Sequence, residues 1–123
     1  MADWKDLILN TPDTTSDYSA DDISGNKVMG VLAYLGILVL IPIIGAKESK
    51  FARFHANQGL VLLLAGIIAG VASWLLGYIP ILGSIIGTVI DIVLFAYMIL
   101  GIINVVNGKA KELPFIGKFK LLK

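Results

Sequence analysis

Apolar positions dominate two stretches of this chain so completely that the few polar residues between them read as punctuation. From Gly59 to Val106 the only charged residue is Asp91, and the only strong turn signal is Gly77-Tyr78-Ile79-Pro80. At a rise of about 1.5 Å per residue, each half of that run is long enough as a helix to cross a hydrocarbon core of about 30 Å. The pattern predicts a membrane hairpin with spans at about Asn57 to Leu76 and Ile81 to Val106. An earlier apolar run, Val28 to Ile44, sits near the lower length limit for a crossing and carries Pro42 in its last turn. It is expected as a first span, with a re-entrant segment as the alternative.

The remaining segments are polar and sorted by charge. Residues 1–25 hold Asp3, Asp6, Asp13, Asp17, Asp21 and Asp22 and are expected as a flexible acidic tail, in which Trp4, Leu7 and Ile8 share one face of a short helix. The aspartates lack the spacing of a calcium loop. Residues 45–58 form a basic, aromatic connector. Its collar of Lys47, Lys50, Phe51, Arg53, Phe54, His55, Asn57 and Gln58 is suited to the boundary between lipid and water, with cations toward anionic headgroups and the phenylalanines dipping inward. Gly108 is placed to end the last helix in a left-handed cap. Residues 109–123 interleave Lys109, Lys111, Lys118 and Lys120 with Phe115 and Phe119, and are expected as an amphipathic tail on the membrane surface. The transmembrane domain is thus bounded at 26–108.

Composition agrees with this division. The 123 residues are 57% hydrophobic and 15% charged, with a mean hydropathy of +0.86 and no cysteine. That balance lies outside the usual globular range, and it excludes disulfides, cysteine-based zinc sites and thiol nucleophiles. Both basic segments are short, which places the connector and the C-terminal tail on the cytoplasmic side of a bacterial plasma membrane. With three spans the N-terminus lies outside; a re-entrant first segment reverses it.

Candidate chemistry is sparse. Asp91 falls near the middle of its span, where a carboxylate costs at least about 2.5 kcal/mol. It is expected to face protein or water, with Thr88 on its own face and Tyr34 and Ser73 at similar depth as partners. Two readings stay open: an interhelical polar clamp, and an ion or proton site. Gly66 with Gly70 and Gly83 with Gly87 form GxxxG pairs that allow close helix packing, within the hairpin or between copies. The lone His55 lacks a second ligand at metal spacing and is expected to be a hydrogen-bonding residue. Gly101 to Lys109 only superficially matches a P-loop, since Ala110 stands where Ser or Thr is required. No hydrolase motif is present, and no catalysis, cofactor, metal or nucleic-acid partner is expected.

The runs Asn26 to Pro42, Ser49 to Gly59 and Gly108 to Lys118 resemble bacterial small membrane proteins of unknown function, grouped with the twenty-kilodalton subunit of the chloroplast inner-envelope import translocon. Phe54-His-Ala-Asn-Gln58 is the most specific part. The resemblance implies a helical membrane domain without assigned activity, and a candidate role in translocation or membrane-complex assembly. The zinc ribbon of some relatives cannot form here, and the plant component's four spans exceed the three expected. The combined expectation is an all-α polytopic membrane protein with three transmembrane helices, serving as a structural or assembly component. A homo-oligomeric ion or proton conductor using Asp91 is the alternative.

Overall fold

The computed structural model describes residues 11–122, so the short helix expected at Trp4, Leu7 and Ile8 lies outside the described residues. Five α-helices are present among them: α1 Ala20–Gly25, α2 Lys27–Leu32, α3 Leu40–Gly45, α4 Lys50–Leu76 and α5 Leu82–Val106. Short 3-10 turns occupy Thr15–Asp17 and Gly36–Val39. No strand forms among the described residues beyond an isolated bridge of Asp13 with Lys111.

Helices α4 and α5, of 27 and 25 residues, are the two that are long and apolar enough to cross a membrane. They pack antiparallel through the small residues of the turn end. A Cβ at Gly83 would overlap the Leu76 carbonyl, and one at Gly87 would touch Ser73. The expected turn holds, because α4 stops at Leu76 and α5 starts at Leu82. At the other end α5 closes as expected on Gly108, at φ 69°. The Gly108 N–H donates to the Val105 carbonyl at 2.9 Å and the Lys109 N–H to the Asn104 carbonyl at 2.8 Å. This pair of bonds is a Schellman cap.

The expected first span is corrected. Val28 to Ile44 is not one helix but two six-residue helices, α2 and α3, folded against each other around Gly36, whose φ of 65° favours glycine. The segment enters and leaves at the same end of the helix pair. At its start Lys27 Nζ reaches the Val106 carbonyl at 3.1 Å, and a Cβ on Gly30 would press on Val105. At its close Gly45 lies by Met29, and Asp22 bonds to Ser49 and to the Phe51 N–H. Pro42, buried in α3, and the glycines at 30 and 36 explain why a run of spanning length does not make one straight helix. The opposite-sided termini are corrected with it. Thr14 N–H donates to the Ala110 carbonyl at 3.0 Å, so the described N-terminal residues and the C-terminal tail share one end of the molecule.

Candidate functional site: the polar latch

From Lys50 on, the collar expected to lie along the interface is the start of α4, with Lys47 just before it. Ser49 caps that helix, its hydroxyl accepting from the Ala52 N–H at 3.0 Å, while the Asp22 carboxylate accepts from the Phe51 N–H at 2.9 Å. Both bonds satisfy amides that a helix start leaves unpaired, and the negative charge suits the helix dipole. Neither cap was read from the sequence, and the partner of Asp22 lies 29 residues away.

Helical phasing then turns the polar residues of the collar inward. His55 and Gln58 are fully buried and Asn57 nearly so. The Gln58 side chain donates to the Gly117 carbonyl at 2.9 Å and accepts from the Leu113 N–H at 2.8 Å. Asn57 donates to the Phe119 carbonyl at 2.8 Å and accepts from the N–H groups of Leu121 and Leu122. His55 Nε2 lies 2.9 Å from the Lys109 carbonyl, which can only accept, so this nitrogen carries the proton; in the neutral ring Nδ1 accepts from the Tyr34 hydroxyl at 2.6 Å. Three adjacent side chains of α4 thereby act as a latch that holds residues 109–122 across the helix ends. Tyr97 adds a bond to the Pro114 carbonyl at 2.7 Å.

A strap closes the latch from outside. Pro12 to Thr15, expected as part of a flexible tail, bind the start of the C-terminal segment: the Glu112 N–H donates to the Pro12 carbonyl at 3.0 Å and the Ala110 N–H to Thr15 Oγ1 at 2.9 Å. The Thr15 hydroxyl bonded to Asp13 holds that carboxyl below the usual range, and the nearby Lys109 and Lys111 act in the same direction. Tyr18 packs edge-on against Phe51 and Phe54, with centroids 6.2 and 6.1 Å apart, and both phenylalanines lie against His55. Phe51 is therefore core, not a lipid anchor. Lys47 and Lys50 remain exposed, and Lys50 and Arg53 line a polar cleft with Asp17, Glu112 and Lys120. On the tail, Lys109, Phe115, Lys118, Phe119 and Lys120 face outward, Lys111 is half-buried, and Lys120 pairs with Glu112 at 3.1 Å.

The expected polar group around Asp91 does not assemble. Tyr34 is committed to His55, Thr88 bonds back to the Ser84 carbonyl at 2.8 Å, and the buried Ser73 hydroxyl has no partner. Asp91 is exposed on the isolated chain and lines a groove of about 400 Å³ with Gly36, Gly66, Leu94, Phe95 and Met98. The glycine pairs divide. Gly83 and Gly87 serve the hairpin, whereas nothing lies within 4 Å of a Cβ built on Gly66 or Gly70. Among the described residues no group of three His, Asp or Glu side chains comes together in a way that holds a metal ion.

Two long apolar helices, a folded-back pair of short apolar helices and a latched basic tail, with no strand among the described residues, are the architecture of a small helical membrane protein. Its sequence matches the magnetosome magnetite crystal formation protein family over residues 25–120, and the chain belongs to that family. It is 34% identical over 89 residues to the magnetosome protein MmsF of Paramagnetospirillum magneticum, covering 72% of this chain and 79% of that one. With the magnetosome protein MamF of the same organism it shares 28% over 95 residues, covering 77% and 82%. A membrane protein of Methanocaldococcus jannaschii is 35% identical over 91 residues, covering 72% of this chain and 62% of its own. No solved structure gives a significant match. These findings bear out a membrane-protein family and carry nothing of the translocon kinship.

Proposed function

We propose that the chain is a structural and assembly component of a bacterial membrane complex that supports magnetite crystal formation, the process for which its family is described. In this reading it anchors and organises membrane without catalysing a reaction, and needs no cofactor or nucleic acid. The observation that supports it is the division of labour along the molecule. At one end the polar side chains are consumed in the latch; beyond it, the Gly66 and Gly70 ridge and Asp91 have no intramolecular partner. Small residues on an open helix face suit helix-to-helix packing in lipid, so a second copy or another membrane protein is the natural partner. The lysine-rich end belongs on the cytoplasmic side, with Lys47 and Lys118 toward anionic headgroups. The described N-terminal residues and the C-terminal tail then follow it there.

Native mass in mild detergent or nanodiscs tests the assembly reading. A defined homo-oligomer that falls to monomer with Gly66→Leu and Gly70→Leu is expected; a wild-type monomer removes self-assembly and directs the search to another membrane protein. A second reading, ion or proton conduction, is favoured by the placement of Asp91 in a groove at mid-span. Flux into liposomes that Asp91→Asn abolishes without loss of assembly supports it, and absence of flux in a folded oligomer contradicts it.

A further inference from the structure

The re-entrant pair gives the molecule unequal halves. Along α5 it packs on Val105, opposite Gly30, and on Gly101, opposite Tyr34, and its tip at Gly36 borders the groove that Leu94 also lines. From Leu94 to Val105 the helix rises about 16 Å, close to half of a hydrocarbon core of about 30 Å. In that half four helices, α2 to α5, lie side by side. In the other half, beyond the tip at Gly36, only α4 and α5 continue, and they pack on each other. With helices about 10 Å across, the end that carries the termini has roughly twice the cross-section of the other.

The outer surface of the wide half is built for acyl chains. Val28, Ile37, Leu40, Ile41 and Ile44 are exposed, with Ile37 at 65% and Ile44 at 68%. No charged residue occurs from Val28 to Ile44, and the one strongly polar side chain there, Tyr34, turns inward to His55. Lysines flank the segment at both ends: Lys47 is exposed, and Lys27, also exposed, donates to the Val106 carbonyl, positions that suit ammonium groups at headgroup level. The latched tail adds Phe115 and Phe119, both more than half exposed, to the same end.

We propose that the chain is a wedge whose wide half displaces lipid from one leaflet only, so that it partitions to, and favours, membrane curved with that leaflet on the convex side. The partner surface is the acyl-chain layer of a positively curved monolayer. This deepens the structural role above, and it rests on the reading of α4 and α5 as membrane-crossing helices. It requires no second copy and no ligand.

The test uses the full chain reconstituted in giant phosphatidylcholine vesicles from which narrow tubes are pulled. Because the chain has no cysteine, Lys118→Cys labelled from outside by an impermeant dye reports only copies with the wide half in the outer leaflet. Tyr78→Cys reports the opposite orientation. The wide-half-out copies are expected to be about twofold or more denser on tubes than on the parent vesicle, in line with the roughly twofold area ratio, and the others depleted. Ile37→Asn with Ile44→Asn, which alters exposed positions only, is expected to lower the enrichment in protein that still resists carbonate extraction. Equal density on tube and vesicle for both labels overturns the wedge. Extraction of the wild-type chain by carbonate overturns instead the membrane reading beneath it. If cross-linking shows the Ile37 and Ile44 face buried against a second copy, the lipid assignment of that face fails.

Discussion

At the scale of single residues, Gln58 carries the most. It fixes the tail at two points, and both partner groups are buried backbone, whereas the three bonds of Asn57 lie nearer the surface. Gln58→Leu keeps the volume but leaves the Leu113 N–H and the Gly117 carbonyl without partners. It is expected to cost about 2–4 kcal/mol, one to two for each orphaned group, measured by thermal unfolding in detergent. Tyr34→Phe removes only the bond to His55 and is expected to cost about 1 kcal/mol. A larger loss from Tyr34→Phe than from Gln58→Leu would shift the centre of the latch from the tail to the re-entrant pair. The residue identities of this site were visible in the sequence, but their direction was not. A polar, aromatic, basic stretch beside an apolar run reads equally as interface or as helix start. What decides is the burial of Asn57 and Gln58 against a segment about 60 residues later in the chain, which local pattern does not encode.

At the scale of elements, the two long helices, the turn between them and the end of α5 followed from hydropathy, Pro80 and Gly108, because lipid tolerates few other solutions for such runs; the start of α4 did not, since it lies at Lys50 and not near Asn57. The re-entrant pair did not follow, since its 17 apolar residues satisfy the length rule that a span satisfies. Its signature is close packing. A Cβ on Gly59 would overlap the Ala33 carbonyl, and one on Gly101 would overlap the Tyr34 ring, so the long helices are relieved by glycine where the short pair lies on them. Gly101→Leu is therefore expected to lift the pair from α5, destabilising the fold by about 1–3 kcal/mol. The same variant should raise hydrogen exchange over residues 27–45 while residues 64–76 stay protected. Uniform exchange along the chain would show that the pair is not a separable element. The N-terminal strap belongs to this scale as well. Asp13 is held ionised by Thr15, so its contribution is present above the ordinary aspartate range and is lost as pH falls through its lowered value.

At the scale of the whole molecule, the re-entrant pair decides the topology. It puts the acidic N-terminal segment, the basic collar and the tail at one end, where Asp22 caps α4 and Pro12 to Thr15 tie down the C-terminal segment. The turn at Gly77 to Pro80 stands alone at the other. From this follow the wedge shape and the open ridge of Gly66 and Gly70, on which the proposed roles in membrane shape and assembly rest. The most direct measurement is the accessibility of single cysteines to an impermeant reagent in sealed proteoliposomes, with Ser24→Cys, Lys47→Cys, Lys118→Cys and Tyr78→Cys compared in one orientation. The first three are expected to react from the same side and the fourth only from the other. Reaction of Ser24→Cys from the side of Tyr78→Cys would restore a third crossing and contradict the account.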